Sequence, residues 1–220
     1  MKAAEVARYL QDHPEFFEQH AELLTQLTIP SAHDGRAISI TERQMGALRD
    51  KVKQLEAKLA ELIGYGEEND AIASKVHRLG VSLLAATDHG AVLHALYSHL
   101  GESFAVPHVA LRLWGAAAGT GDFIEFDSVS PEARAFAENL KHPYVGPGGG
   151  PDVMAWFGEG GAHVRSLALL SLRQGVMTFG LMAFASEDPQ RFYPGMGTFY
   201  LEQIAEMASL ALVRTRGRGF

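Results

Sequence analysis

The residues most able to do chemistry in this chain are its ten histidines, which are common metal ligands. A zinc site on one helix face places two imidazoles three or four residues apart, as in the motif H-E-x-x-H. His94 and His99 are five residues apart, and that motif does not occur. His13 and His20 are seven apart. A metal site would require the fold to gather three histidines from distant segments, so the spacing predicts none.

Nucleophiles and cofactor-binding loops do not follow the known patterns either. The chain has no cysteine, which excludes disulfides, thiolate nucleophiles and cysteine-ligated metals. Ser166 and Ser171 stand in an apolar run rather than in a G-x-S-x-G turn. The stretch Gly146–Pro151 lacks the Gly-Lys-Ser/Thr ending of a phosphate-binding loop. The sequence therefore predicts no catalytic residue and no cofactor.

One predicted strand, Val109–Trp114, presents a cation and an indole on one of its faces. Because side chains alternate along a strand, Arg112 and Trp114 share that face, opposite three aliphatic residues. Ligand pockets combine aromatic walls with a few polar groups, and arginine can clamp an anion. The predicted ligand-binding residues are Arg112, Trp114, Phe126, Tyr144, Trp156 and Arg165. The alternatives are that the tryptophans fill the core and that the arginines face solvent.

Composition limits the class of protein. The 220 residues carry a net charge of −7, which disfavours nucleic acid as a partner, because phosphates attract a concentrated basic face. The short basic tail at Arg214–Gly219 is weak grounds for changing that view. The chain has no apolar run of about 20 residues and its first residues open no signal peptide. We therefore expect a cytoplasmic protein with no membrane partner.

The first part of the chain, residues 1–66, reads as a helical arm. Two short helices are predicted within residues 3–28, with Asp12 capping the second of them. A coiled-coil helix is predicted over residues 38–63, because apolar residues recur there at alternating spacings of three and four. Gly64–Gly66 would end that helix. The residues predicted to join two copies are Met45, Leu48, Val52, Leu55, Leu59 and Leu62.

The coiled coil predicts a homo-oligomer, and a dimer first of all. Lys51 and Glu56 would meet across a parallel pair with opposite charges, which permits that orientation without proving it. The same stripe could instead pack against the first helices of its own chain.

Residues 67–220 read as a second domain of class α+β. Helices at 71–86 and 88–104 precede predicted strands at 109–114 and 123–126. A short helix at 131–140, with Ser130 as its cap, and a glycine-rich loop at 141–161 come next. That loop is either a lid over a ligand cavity or a disordered segment. Two more strands and a closing helix that runs to Arg214 complete the predicted mostly antiparallel sheet and its cover.

The strand, turn and helix around Gly180–Phe192 resemble the C-terminal signature of GAF domains, which are small-molecule sensor modules. The arm resembles the N-terminus of a bacterial family of uncharacterised cytoplasmic proteins, in which a coiled-coil arm precedes a GAF-like domain. The motifs that carry this resemblance are Val6-x-x-Tyr9-Leu10-x-x-His13-Pro14-x-Phe16-Phe17, Leu23-Leu24-x-x-Leu27-x-Ile29-Pro30 and Ser39-Ile40-x-Glu42-Arg43-Gln44-x-x-x-Leu48-Arg49. The family has no established activity, so the resemblance implies a fold rather than a reaction.

Within the GAF class, the missing cysteines set aside sulfoxide reduction by thiols and bilin attachment. The signature of cyclic-nucleotide-binding GAF domains is not found. We expect a non-enzymatic sensor or regulatory adaptor that dimerises through its coiled coil. It would bind a small molecule, an anion being the kind that arginine favours, and pass its signal to an output protein. The alternative is a structural interaction module whose cavity is filled by its own side chains. A metal enzyme or a hydrolase has the least support from the residues.

Overall fold

The structure is a computed structural model that describes residues 2–26, 28–30, 37–115, 123–149 and 152–216. The chain divides into two compact units, Met1–Glu67 and Glu68–Phe220. The first is mainly helical, and the second combines an antiparallel sheet with helices. This architecture confirms the predicted α+β class.

The first unit begins with three short helices where the sequence predicts two. They are α1 (Ala3–Asp12), α2 (Glu15–Gln19) and α3 (Ala21–Gln26). The sequence predicts that Asp12 caps α2, and this prediction is wrong. Asp12 is the last residue of α1, and its carboxylate lies 3.8 Å from the guanidinium of Arg8, one turn earlier. The residue at the start of α2 is Pro14, which has no side-chain hydrogen bond to offer.

A small antiparallel hairpin follows these helices, and the sequence gives no signal for it. Its strands are β1 (Thr28–Pro30) and β2 (Ala37–Ser39). Because β2 takes residues 37–39, the long helix begins two residues later than predicted. Strands of three residues are too short for an alternating pattern to stand out.

The long helix α4 spans Ile40–Ala85 without interruption. The predicted end of the helix at residue 63 is therefore wrong. Gly64–Gly66 costs about 1 kcal/mol per glycine relative to alanine, which weakens a helix without stopping one that is flanked by good helix formers. The Tyr65 hydroxyl also donates to the Glu61 carboxylate at 2.8 Å, an i,i+4 contact that spans the first glycine.

The predicted oligomerisation residues form an exposed apolar row on α4. Each of the six is between 48% and 64% exposed in the single chain. They are Met45, Leu48, Val52, Leu55, Leu59 and Leu62. Further along the same helix, Val76, Leu79 and Leu83 are buried in the core of the second unit.

The core of the second unit lies between the sheet and three helices. These are the last turns of α4, α5 (His89–Ser98) and α7 (Phe199–Thr215). The Asp88 carboxylate accepts from the backbone N–H of Ala91 at 2.8 Å, so the predicted cap of α5 is confirmed. The chain then continues through a π-helical turn, His99–Ser103, into the first strand of the sheet.

The sheet has four antiparallel strands in the described residues, in the order β3-β6-β5-β4. They are β3 (His108–Leu113), β4 (Tyr144–Pro147), β5 (Ser166–Gln174) and β6 (Met177–Ser186). Strand β4 lies inside the stretch that the sequence predicts to be a loop. Gly175 turns β5 into β6 with a φ of +61°, a backbone conformation that glycine adopts without strain.

The predicted strand at residues 123–126 is wrong, because Ile124–Phe126 forms a single 3-10 turn. A half-buried strand would place Ile124 and Phe126 on one face and Glu125 on the other. In the structure Ile124 is exposed and Glu125 is buried against Tyr97, so the run of aromatic and aliphatic residues misleads.

The second face of the sheet is covered by α6 (Pro131–Asn139) and by a 3-10 helical segment, Val153–His163. The Ser130 hydroxyl accepts from the N–H of Ala133 at 3.2 Å, which confirms the predicted start of α6. The 3-10 segment takes up the last part of the predicted glycine-rich loop, and its apolar residues pack on the sheet. This face carries four of the six predicted ligand-binding residues, namely Arg112, Trp114, Tyr144 and Trp156.

Candidate ligand-binding site

The centre of the candidate site is Arg112, on the edge strand β3. Arg112 lies opposite Leu181 of β6, and only 6% of its surface is exposed. Its Nη1 donates to the backbone carbonyl of Leu111 at 2.9 Å. The guanidinium carbon lies 5.3 Å from the centroid of the Trp156 ring, within the range of a cation–π interaction.

No carboxylate lies within ion-pair distance of this buried charge in the described part of the chain. There, the ion pairs within 4.0 Å do not include Arg112. A guanidinium has five N–H donors, and among the described residues only one hydrogen bond from Arg112 is made. A buried charge deprived of its partner costs about 3–5 kcal/mol, and a desolvated cation–π contact returns about 2 kcal/mol. The position is therefore suited to an anion.

The two tryptophans of the site have different surroundings. Trp156 is half-buried on the 3-10 segment and covers the Arg112 guanidinium. Trp114 is buried at the end of β3, where its Nε1 donates to the Thr178 carbonyl at 3.1 Å. The Arg134 guanidinium carbon lies 5.8 Å from the Trp114 ring centroid. Trp114 is thus held by the protein itself, as the alternative of core burial describes.

The other predicted site residues are dispersed. Tyr144 packs in the same cluster as Trp114 and Trp156, with its ring edge-to-face to Phe136 at 6.3 Å between centroids. Phe126 packs with the core on the opposite face of the sheet. Arg165 is exposed, and its backbone pairs with neighbouring strands. The structure therefore brings Arg112, Trp114, Trp156 and Tyr144 to one face and leaves Phe126 and Arg165 outside it.

A buried pair beside Arg112 is absent from the sequence prediction. The Tyr97 hydroxyl on α5 donates to Oε1 of Glu125 at 2.8 Å, and Glu125 is only 5% exposed. Burial raises the pKa of Tyr97, and the bond to Glu125 and its negative charge raise it further, while the Arg112 charge opposes them. The one signal in the sequence was an acidic residue inside an otherwise apolar run.

His89, at the start of α5, is a third buried polar residue, and the charge of Glu125 acts on it. Its ring stacks on Phe126 at 5.8 Å between centroids, and its Nδ1 lies 3.5 Å from the Thr215 hydroxyl. Burial lowers the pKa of His89, while the charges of Glu125 and Asp88 raise it and that of Arg216 lowers it. His89 is thus held mainly in its neutral form at neutral pH.

A separate cavity of about 330 Å³ lies at the end of α6 and is lined by Arg173. The Arg173 Nη2 donates to the carbonyls of Ala137, Glu138 and Leu140 at 3.1, 2.9 and 2.9 Å. These are the carbonyls that a helix C-terminus leaves without an intrahelical partner. This arginine therefore caps α6 and has a structural role.

Two searches of the described residues bear on other kinds of site. Within the ranges that the structure describes, no group of three or more histidines and carboxylates could hold a metal ion. In the same ranges, no helix combines the length and the apolar character that crossing a membrane requires.

The fold is similar to that of a solved reductase, and a GAF domain is among the other structures that resemble this chain. Free methionine-R-sulfoxide reductase from Neisseria meningitidis, solved with its substrate, has a TM-score of 0.51 to this chain at 17% sequence identity. That match covers 67% of this chain and 92% of the reductase. The GAF domain of A. aeolicus NLH2 in an inactive state gives 0.44 at 17% identity, over 66% of this chain and 98% of the domain. At such identities the likeness concerns the fold alone, which is GAF-like.

The sequence relatives agree with the resemblance of the arm. The "Uncharacterized protein YigA" of Salmonella typhimurium (strain LT2) is 27% identical over 216 residues, which cover 95% of this chain and 90% of that protein. Residues 1–216 match the family described as "Protein of unknown function, DUF484". The predicted family of uncharacterised proteins with a GAF-like domain is thereby confirmed. This chain belongs to the DUF484 family.

Proposed function

We propose that the protein is a regulatory GAF-like module that binds a small carboxylate at Arg112 and dimerises through α4. The observation that carries the ligand is the buried guanidinium of Arg112, which has no carboxylate partner in the described residues. A bound anion would remove the cost of that charge.

The shape of the guanidinium favours a carboxylate. Its planar fork matches the two oxygens of a carboxylate, and such charge-assisted bonds are worth about 1.5–3 kcal/mol each. Trp156 excludes water from one side of the Arg112 guanidinium, which strengthens any electrostatic contact there. The buried Glu125 nearby would disfavour ligands that carry several negative charges.

A non-enzymatic role is supported by the hydrogen bonds of the candidate serine nucleophiles, which are directed to backbone carbonyls. Ser166 and Ser171, the serines of the apolar strand, donate their hydroxyls to the carbonyls of Asp188 and Ala137, both at 2.6 Å. The structural neighbour from Neisseria is a reductase of free methionine-R-sulfoxide, but a chain without cysteine cannot supply thiols for a reduction. Signalling would then pass to an output protein that recognises the liganded state.

A structural interaction module is the second candidate. Trp114, which is anchored to Thr178, and its neighbours already fill much of the face that holds Arg112. In that case the Arg112 guanidinium would have only a structural role, in which it holds the Trp156 ring against the sheet.

A thermal-shift screen separates the two candidates. We expect pyruvate, benzoate or a related small monocarboxylate to raise the melting temperature, since a ligand at 100 times its dissociation constant adds about 2.7 kcal/mol. Arg112→Gln should lose that shift. The control Arg165→Gln removes the same charge from an exposed position and should keep it. Hits that stabilise both variants equally, or a screen without any hit, would favour the interaction module.

A further inference from the structure

A second and larger cavity lies on the helical side of the sheet, opposite the face that carries Trp156. Its volume is about 810 Å³, within the range of pockets that hold small organic ligands. The α4, β6 and α7 elements and the loop between β6 and α7 contribute to it. Its apolar floor consists of buried side chains that include Phe184, Phe192, Leu201 and Ile204.

The charge of this cavity is opposite to that of the molecule. The whole chain has 26 acidic residues against 19 lysines and arginines. The cavity is nevertheless lined by Lys75 and Arg191 and by no aspartate or glutamate. Neither cation belongs to an ion pair within the described ranges. An anion is therefore the charged group that this surface would attract.

The two cations are differently constrained. The Arg191 Nη2 donates to the Phe104 carbonyl at 2.5 Å, and its guanidinium carbon lies 6.0 Å from the Phe192 ring centroid. Lys75 is half-buried and makes no hydrogen bond in the described part of the chain, so its ammonium keeps all three donors for a ligand. Tyr200 and Leu201, in the first turn of α7, also line the cavity.

We infer that this cavity binds an amphipathic anion, namely an alkyl carboxylate whose chain lies on the aromatic and aliphatic floor and whose head meets Lys75 and Arg191. The inference does not depend on Arg112, which belongs to the other face of the sheet. A small hydrophilic acid would leave the apolar floor of the cavity exposed to water. An uncharged apolar molecule would leave the two cations without a counter-charge.

Calorimetric titration with a matched series of amphiphiles tests this assignment. We expect dodecanoate to bind with one molecule per chain at concentrations below its micelle threshold. Decanoate should bind about fifteenfold more weakly, since each buried methylene contributes about fourfold in affinity. Dodecan-1-ol should bind about tenfold more weakly for want of the charge, and dodecylammonium should not compete.

Variants locate the site. Lys75→Gln should weaken dodecanoate about tenfold and leave dodecan-1-ol unchanged. Lys51→Gln makes the same change of charge at an exposed position on α4 and should have no effect. Met196→Trp, at the half-buried edge of the cavity, should weaken all the alkyl ligands by filling their space, with the fold checked by circular dichroism.

The result that overturns the inference is equal binding of the anionic, neutral and cationic ligands, or dodecanoate binding that Lys75→Gln and Met196→Trp leave unchanged. Arg112→Gln should not alter dodecanoate affinity, so failure of the Arg112 site and failure of this cavity are distinguishable. Should dodecanoate bind nowhere on the native chain, a protein segment becomes the better candidate for this surface, and the inference is wrong.

Discussion

At the scale of single residues, the buried polar groups depend on one another. Tyr97 bonds Glu125, and Arg112 lies close enough to influence the Tyr97 hydroxyl electrostatically. Buried polar groups are costly unless they are paired, so Tyr97 has to satisfy a carboxylate that solvent cannot reach. Because the Glu125 turn lies against β3, this bond also fixes the segment that flanks Arg112.

Removing the Tyr97 hydroxyl should therefore destabilise the fold. We expect Tyr97→Phe to lower the free energy of unfolding by about 1–3 kcal/mol, since one oxygen of a buried carboxylate loses its donor. Urea denaturation measures the loss. Tyr65→Phe removes a hydrogen bond of the same 2.8 Å length to an exposed glutamate, Glu61, and should cost about 0.5 kcal/mol or less. Equal losses in the two variants would contradict the buried role of Glu125.

The residue pattern predicted part of this site. Alternation along a strand was enough to put Arg112 and Trp114 on one face, because that rule depends only on local geometry. The contact between Arg112 and Trp156 could not be predicted from the sequence pattern, because Trp156 stands in a glycine-rich stretch with no periodicity. Glu125 was missed because its neighbours read as a strand.

At the scale of elements, helix ends were predicted where the chain carries its own cap. Asp88 and Ser130 bond first-turn amides nearby in sequence, so the signal is local. The C-terminal ends of α4 and α6 are capped by side chains that are distant in sequence. Arg214 donates to the carbonyls of Leu83 and Ala86, both at 2.8 Å, from another helix altogether. No sequence pattern reports such a contact.

The distant cap of α6 can be tested in the same terms. We expect Arg173→Leu to lower the free energy of unfolding by about 2–3 kcal/mol, because the carbonyls of Glu138 and Leu140 lose this donor and the Ala137 carbonyl keeps only the bond from Ser171. Arg165→Leu makes the same substitution at an exposed position on the neighbouring segment and should change stability by about 0.5 kcal/mol at most. Losses of similar size in both variants would mean that Arg173 is not a cap.

At the scale of the whole molecule, the order of elements was enough to predict the α+β class, and the resemblance of Gly180–Phe192 to the C-terminal signature of GAF domains added the GAF-like fold. Helices, a meandering sheet and a closing helix can be packed in few ways around one core. The order of the elements does not predict which side chains line a cavity, because those side chains are distant from one another in sequence. The continuity of α4 was missed for a related reason, since two glycines are a local signal and the rest of a 46-residue helix outweighs them.

The exposed row on α4 leads to a prediction about assembly. Aliphatic side chains that are half exposed over six successive seam positions form the kind of patch that monomeric proteins avoid. Burying them against a second copy is the arrangement that heptad spacing favours. We expect light scattering at micromolar concentration to give the mass of a dimer.

Substitution within the row should then separate the copies. Leu55→Lys removes a buried leucine from each protomer and sets two ammonium groups face to face, so the dissociation constant of the dimer should rise by at least about two orders of magnitude, a cost of about 3 kcal/mol. Gln54→Lys adds the same charge at the neighbouring exposed position, which faces away from a heptad seam, and should leave the mass unchanged. A native protein that is already monomeric, or a Gln54 variant that dissociates as readily as the Leu55 variant, would show that this row packs against something other than a second copy.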